Sequence, residues 1–267
     1  MTAVTTKPAR YDAGRTGWFL PTFVRALTDQ LRMHASSPMA VFSTLAMPCV
    51  FAFVVHANAS GGGAARETTG DMAVGSAGIG MLDSIIVLVV VSLMGEKQWK
   101  TLYAALGSPG GLVPVVLGRL TGTAVQSLTA LPGTLVILVL LFGLGDGFDW
   151  TRWLIGGVLL AFSTASVVGL LGFAVLRYPY SAGMTNGLTG LVMALSALIV
   201  PQSALPGPVQ KLAFVIPQSH VMAWVRGGGT GELLAALALT GVFCGLVVLA
   251  VRRLELIARR QALPLEA

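Results

Sequence analysis

Long apolar runs dominate this chain and alternate with short polar segments. A helix needs roughly 17 to 25 apolar residues to cross a hydrocarbon core of about 30 Å. Six runs meet that length, at residues 39–55, 74–94, 120–142, 153–176, 182–200 and 233–251. Backbone polar groups in lipid must be satisfied internally, so each run is predicted to be a transmembrane helix. The pattern therefore predicts an all-α, polytopic membrane protein with six transmembrane helices.

An amphipathic segment, WFLPTFVRALTDQLRMHASSP, precedes the first run. Its apolar positions follow the spacing of one helical face: Leu20, Phe23, Val24, Leu27 and Leu31. Its charged positions lie on the other side: Arg25, Asp29 and Arg32. This pattern predicts an N-terminal amphipathic helix that lies in the membrane interface within residues 1–37.

A second amphipathic segment, GEKQWKTLYAALGSPGGL (residues 95–112), follows the second run. It carries one apolar stripe: Trp99, Leu102, Tyr103 and Leu106. Glu96 precedes Lys100 by four residues, the favourable order for a helical ion pair. Gly107 and then Pro109 predict where this helix ends. The segment is much longer than a turn between two spans requires.

Composition indicates a membrane protein, and the distribution of charge indicates which segments lie on each side of the membrane. The mean hydropathy is +0.80 and only 10% of residues are charged, which is typical of a membrane protein. Thirteen of the 17 Lys and Arg fall on one side of the predicted spans, and four on the other. Because basic residues accumulate in cytoplasmic loops, both termini and segment 95–112 are predicted to be cytoplasmic. The net charge of +6 then reflects topology rather than nucleic-acid binding.

The outer loop, residues 201–229, is rich in proline, at positions 201, 206, 208 and 217. No single helix can run through it, yet LAFVI and VMAWV are apolar. We predict two re-entrant half-helices, broken at Pro217, and name residues 201–229 the outer hairpin. The predicted organisation is a cytoplasmic N-terminus (1–37), one six-span domain (38–255) and a cytoplasmic tail (256–267).

Few residues in the spans could carry chemistry. Asp83 is the one acidic residue inside a predicted span, and it has two interpretations. It faces a substrate path, or a structural partner such as Ser43, Thr44 or a residue of a second copy neutralises it. The three histidines, His34, His56 and His220, fall at predicted interfaces, where they are interpreted as polar tips at the headgroup boundary.

Glycine spacing and the absence of one motif add to this picture. Three glycine pairs spaced by four residues are candidate close helix crossings: Gly118/Gly122, Gly183/Gly187 and Gly241/Gly245. No GxxxxGK[ST] motif occurs, so the chain has no phosphate-binding loop of that type. No catalytic, cofactor-binding or metal-binding residues are predicted in this chain.

The layout resembles the permease subunits of the ABC-2-type transporter family, including the daunorubicin-exporter-like members. The resemblance covers nearly the whole chain: an interfacial helix, six spans, GEKQWKTLYAALGSPGG after the second span, and LPGPVQKLAFVIPQSHVMAWVRG before the last. At Gln98 and Trp99, where the family commonly has a second Glu and a Gly, this sequence departs from the pattern.

The resemblance implies a function and partners. In such permeases the segment after the second span is a coupling helix that docks on a separate ATP-hydrolysing subunit, and the N-terminal helix is a connecting elbow. We therefore name residues 95–112 the coupling segment. Its expected ATPase-binding residues are Glu96, Lys97, Trp99, Lys100 and Tyr103. The alternative for this stripe is that it lies on lipid with its charges solvated.

The expected complex contains two ATPase subunits, which hold ATP and Mg, and a second permease chain, a homodimer rather than a heterodimer. It would export a hydrophobic or amphiphilic compound across the cytoplasmic membrane of a bacterium. Two other functions remain open. One is an ATP-independent small transporter or channel, for which ion sites at midplane helix breaks are expected. The other is an intramembrane enzyme, which needs two or more converging catalytic groups.

Overall fold

The computed structural model describes residues 15–61, 74–89, 106–108, 110–143, 148–176, 182–198 and 202–261. Every regular element within these ranges is helical. The helices are α1 (Arg15–Ser36), α2 (Pro38–Gly61), α3 (Val74–Val89), α4 (Leu112–Ser127), α5 (Ala130–Phe142), α6 (Trp150–Leu176), α7 (Ala182–Leu195), α8 (Gly207–Ala213), α9 (Pro217–Val225) and α10 (Thr230–Gln261). A 3₁₀ turn, Gln202–Ala204, precedes α8.

Two of the described helices are long and apolar enough to cross a membrane, over Trp150–Gly172 in α6 and Thr230–Ile257 in α10. Counting the bent pair formed by α1 and α2 as one span raises the number to three. α4, α5 and α7 are shorter, at 16, 13 and 14 residues. The all-helical prediction and the membrane-protein character thus agree with the structure, whereas the count of six spans remains a prediction.

The predicted span at residues 120–142 is divided between two helices. α4 begins eight residues earlier, at Leu112, and ends at Ser127, and α5 begins at Ala130. The break between them lies one turn before Pro132. A proline ring clashes with the carbonyl group four residues earlier, which here belongs to Leu128.

α1 and α2 form a bent pair. Residues Gly17–Ser36 and Ala40–Val54 meet at an angle of 89°. The bend is fixed by sequence, because Pro38 is the first residue of α2 and disfavours a helical conformation in the residue before it. If α2 crosses the bilayer, α1 lies along the membrane surface, as an interfacial helix does.

α3 forms the centre of the apolar core. Its residues are buried at every described position except Asp83 and Val87, which are half-buried. A core cluster joins α3 to α4, α6 and α9, and its fully buried members include Met81, Leu82, Ile85, Leu160 and Met222. A helix that is apolar on all sides is typical of a position surrounded by other helices.

α10 connects two polar regions of the molecule. Its two acidic residues at Glu232 and Glu255 are 23 residues apart, which at 1.5 Å per residue corresponds to about 35 Å. That distance is close to the thickness of a hydrocarbon core, about 30 Å. Glu232 lies beside the outer hairpin and Glu255 beside the end of the coupling segment. The hairpin and the described end of the coupling segment therefore lie at opposite ends of the helical bundle.

Candidate functional site

The five predicted ATPase-binding residues lie outside the described residues: Glu96, Lys97, Trp99, Lys100 and Tyr103. The structure describes the end of the coupling segment, at residues 106–108 and 110–112. Leu106 packs against the core cluster. The geometry of this end determines how the segment joins the helical bundle.

The coupling segment ends in a tight turn. The Gly111 N–H donates to the Ser108 carbonyl over 3.0 Å, and the Ser108 hydroxyl donates to the Gly111 carbonyl over 3.0 Å. Gly111 has a φ of +81°, a conformation that favours glycine. α4 begins at the next residue, so the turn fixes the direction in which the chain enters α4.

A buried carboxylate joins this turn to α10. Glu255 is only 6% exposed, and its Oε2 accepts the Leu112 N–H at 3.4 Å. A Cβ atom added at Gly111 would lie 3.1 Å from Oε1 of Glu255, so a larger residue would crowd the carboxylate. A negative charge at a helix N-terminus is stabilised by the helix dipole. Glu255 therefore fastens the end of the coupling segment to the last long helix.

α1 packs along α4 through glycines. A Cβ atom added at Gly118 would lie 2.5 Å from the Phe23 carbonyl oxygen, and one at Gly122 would lie 2.9 Å from the Gln30 Cβ. The pair Gly118/Gly122 is thus a close crossing, as its spacing predicted. Gly187, Gly241 and Gly245 have open space at the same position within the described chain.

The buried face of α1 is a third face that the periodicity did not identify. Ala26, Gln30 and His34, at intervals of four residues, are buried against the bundle. Of the predicted apolar face, Leu20 and Val24 are exposed, at 65% and 46%, whereas the other three residues are half-buried: Phe23, Leu27 and Leu31. α1 therefore contacts protein with small and polar side chains and leaves an apolar side available for lipid.

His34 belongs to a buried polar network between α1 and α4. The Gln30 amide nitrogen lies 2.7 Å from His34 Nε2 and donates to the Thr123 hydroxyl over 3.3 Å. His34 Nδ1 is buried without a hydrogen-bond partner among the described residues. Burial lowers the pKa of His34 from 6.5 to about 4. His34 is therefore neutral at physiological pH and is not the headgroup-facing tip that the sequence predicted.

We expect acid to weaken the docking of α1. The unfolded chain binds a proton at His34 below pH 6.5, whereas the folded chain does so only below about 4. Between these values the unfolded state holds more protons, so the free energy of unfolding decreases as the pH falls. By pH 5 the loss is about 2 kcal/mol. Thermal unfolding in detergent at pH 7.5 and pH 5 measures it, and His34→Gln should remove this part of the pH dependence. An unchanged pH dependence in the variant would contradict the assignment.

Asp83 has no hydrogen bond or ion pair with any described residue. Of the partners suggested by the sequence, Thr44 instead donates its hydroxyl to the carbonyls of Ala40 and Val41, at 3.0 and 3.2 Å, and the side chain of Ser43 lies outside the described residues. Gly80, three residues before Asp83, is packed against the backbone of Pro48. Asp83 and Val87 are on neighbouring turns of α3, so its two half-buried positions share one side.

Arg152 ties the outer hairpin to α6. Its Nη1 donates to the carbonyls of Trp224 and Gly228, each at 3.3 Å. Its guanidinium carbon lies 5.7 Å from the centroid of the Trp224 ring, and its Nε lies 3.2 Å from Oδ2 of Asp149. Arg152 thus satisfies the end of α9 while it stacks on an aromatic ring.

Arg226 ties the hairpin to the end of α7. It donates from Nη1 to the Ala197 carbonyl at 2.7 Å and from Nη2 to the Leu198 carbonyl at 2.5 Å. Ala197 has a φ of 51°, which is uncommon for a residue other than glycine. These two hydrogen bonds from one guanidinium group stabilise the strained turn that follows α7.

His220 ties the hairpin to α10. It is 2% exposed; its Nδ1 lies 2.6 Å from Oε2 of Glu232, and its Nε2 lies 2.8 Å from the Phe214 carbonyl oxygen. Satisfying both contacts requires either an imidazolium ring or a protonated Glu232, because a neutral imidazole has only one N–H. His220 was predicted as a polar tip in the headgroup region and is instead a buried structural residue.

Glu255, Arg152 and Arg226 were not identified as site residues from the sequence. Each is a charged residue next to the end of an apolar run, where a solvated side chain is the usual expectation. Gly111, Gly227 and Gly228 were the available signals, since glycines mark turns that need a capping partner.

No protein-family model matches the chain, and no curated protein matches it.

Proposed function

We propose that this chain is the membrane-spanning permease subunit of an ATP-binding-cassette exporter of the ABC-2 type. A separate ATPase subunit would bind the coupling segment and supply the energy. On this proposal α2, α3, α4 with α5, α6, α7 and α10 make up six spans, and α1 is the elbow helix. The chain would form a homodimer with two ATPase subunits in a bacterial cytoplasmic membrane, with both termini cytoplasmic.

The observation that carries the proposal is the way the coupling segment joins the bundle. Its last residues contact three helices at once. Gly110 packs against Thr22 of α1, Gly111 forms the turn into α4, and Leu112 is bonded to Glu255 of α10. A movement imposed on this segment would be delivered to all three helices. A simple turn between two spans would need none of these contacts.

The mechanism follows from rigid helices joined by short turns. ATP binding would close the two partner subunits, and the coupling segment would convert that closure into tilting of α4 and α10. α6 and α10 also contact the outer hairpin through Arg152 and Glu232. Tilting at the cytoplasmic end would therefore reach the outer end through continuous helices.

The two alternatives require other features. An intramembrane enzyme would need a second reactive group beside Asp83, and no described side chain is bonded to it. An ATP-independent transporter would place its ion site at a helix break near the midplane. The described breaks beside Pro217 and Gly111 lie at the two ends of the bundle. The break between α4 and α5 lies within a predicted span, so an ion site of this alternative would be expected there.

Co-purification tests the proposal. The chain should be co-expressed with the Walker-type ATPase that we predict in the neighbouring open reading frame. We expect the two proteins to purify together, and the double substitution Trp99→Ala and Lys100→Ala to reduce the recovered ATPase at least about tenfold. The loss is expected because hot-spot contacts of this kind are each worth about 1 to 2 kcal/mol.

The matched control is Lys211→Ala, which removes an exposed lysine from the outer hairpin and should leave co-purification unchanged. The proposal would be contradicted if the purified chain moved an amphiphile across vesicle membranes without any ATPase.

A further inference from the structure

Asp83 lies near the middle of the predicted span at residues 74–94. It lies nine residues after Val74, which corresponds to about 14 Å along α3. That is nearly half of a hydrocarbon core of about 30 Å. The residues that flank it at helical spacing are apolar, with Ile79 3% exposed and Ile86 fully buried. The carboxyl group is thus at mid-depth, among apolar walls, on the side of α3 that is only half-buried.

A carboxylate at this depth needs a positive partner, because an isolated charge in an apolar environment is strongly unfavourable. The described chain supplies none, since Asp83 has no hydrogen bond or ion pair there. The basic residues of the helices are poorly placed to supply one from a second copy. Arg152, Arg252 and Arg253 lie near the ends of α6 and α10, and Arg119 of α4 interacts electrostatically with Asp29.

A small inorganic cation is also a poor match. Na⁺, Mg²⁺ and Ca²⁺ are bound in proteins by several oxygen ligands, and the hydroxyl of Thr44 is already bonded within its own helix. A large organic cation needs fewer ligands than an inorganic ion. One carboxylate neutralises its charge, and apolar side chains such as Val87 contact its hydrocarbon surface.

We propose that Asp83 is the charge-recognition residue of a binding site for amphiphilic organic cations. The proposal rests on the exporter function above and narrows its cargo from hydrophobic and amphiphilic compounds in general to cationic ones. The cargo's positive charge lies against the Asp83 carboxylate, and its apolar part lies beside Val87 on the half-buried side of α3. In the empty site a proton takes the place of the cation.

Tetraphenylphosphonium is the probe, because it is a bulky apolar cation that cannot lose a proton. The neutral analogue triphenylphosphine oxide has a similar apolar surface. Equilibrium dialysis with the full-length chain in lipid nanodiscs measures both. We expect saturable binding of the cation, at least about tenfold weaker binding in Asp83→Asn, and weak binding of the neutral compound in both proteins.

Asp29→Asn is the matched control, because Asp29 is an exposed carboxylate on α1 paired with Arg25. This variant should bind the cation like the parent chain. Equal affinity of the parent chain and Asp83→Asn for the cation would overturn the proposal. Equal affinity of the parent chain for the cation and for the neutral analogue would also overturn it.

A measurement on the unmodified chain tests the site without any substitution at Asp83. Dicyclohexylcarbodiimide labels protonated carboxyl groups in apolar surroundings, and mass spectrometry locates the label. We expect tetraphenylphosphonium to suppress labelling of Asp83, whereas full labelling at saturating cation would contradict the site. Neither assay involves the ATPase. If the ATPase co-purifies but the chain does not bind the cation, this inference alone is rejected. If the chain binds the cation but no ATPase co-purifies, the exporter function is rejected.

Discussion

Replacing Arg226 by alanine is expected to release the outer hairpin from the end of α7 and to lower the free energy of unfolding by about 3 to 5 kcal/mol. The change leaves the buried carbonyl groups of Ala197 and Leu198 without the guanidinium that now donates to both. Each buried acceptor without a donor costs about 1 to 3 kcal/mol. The strained turn at Ala197 would also lose its main support.

Thermal unfolding in detergent measures this effect, and hydrogen exchange across residues 196–228 locates it. Arg226→Lys should recover little, because an ammonium group cannot donate to two carbonyls with the planar geometry of a guanidinium. Lys211→Ala, an exposed change in the same hairpin, is the control and should shift the unfolding temperature very little. Full stability of Arg226→Lys would show that the two-pronged contact is unimportant.

Substituting leucine at Gly118 is expected to push α1 away from α4. Even the first added carbon would lie 2.5 Å from the Phe23 carbonyl oxygen and 3.1 Å from the Leu27 nitrogen. These are backbone atoms, which cannot move aside as a flexible side chain can. α1 must therefore shift as a unit, and we expect a loss of at least about 3 kcal/mol.

Protease sensitivity of residues 15–36 and thermal unfolding together measure the displacement of α1. Gly187→Leu is the matched control, since a Cβ atom there meets nothing within 4 Å. The control should unfold at nearly the parent temperature. If Gly118→Leu and Gly187→Leu behave alike, the close crossing between α1 and α4 is not a stabilising contact.

The glycine pairs show what spacing can and cannot predict. Three pairs had the same sequence pattern, and Gly118/Gly122 is a close crossing between α1 and α4. The residues Gly241 and Gly245 are exposed on α10 within the described chain. A four-residue spacing places two glycines on one helical face, but only tertiary structure determines which helix that face meets.

The helical class of the fold was predictable from the sequence, because long apolar runs dominate the chain. The positions at which the helices begin and end were less predictable. The bend before Pro38, the beginning of α9 at Pro217 and the break beside Pro132 all follow from the missing N–H and the ring of proline. The break near Pro132 lies at Leu128 because the clash falls on the carbonyl four residues earlier. The number of spans depends on where a membrane lies, which no helix length alone decides.

The long-range hydrogen bonds could not be predicted, because each joins residues that are far apart in the sequence. Arg152 and Gly228 are 76 residues apart, and Leu112 and Glu255 are 143 apart. Local sequence patterns identify each of these residues only as a charged residue or a turn residue near a membrane boundary. Only the packing of α6, α9 and α10 brings the partners together. Asp83 was identifiable from the sequence, since a lone acid in an apolar run is unusual, but its lack of a partner was not.

The bond between Leu112 and Glu255 has a consequence for the order of biosynthesis. Residue 255 leaves the ribosome long after α4, at roughly 5 to 20 residues per second. For on the order of 10 seconds the first turn of α4 has no carboxylate to accept its N–H. The turn at Gly111 can close through its own bonds with Ser108, but the Leu112 N–H gains its carboxylate acceptor only when α10 has been made. Chains that stop before residue 255 leave that N–H without this acceptor.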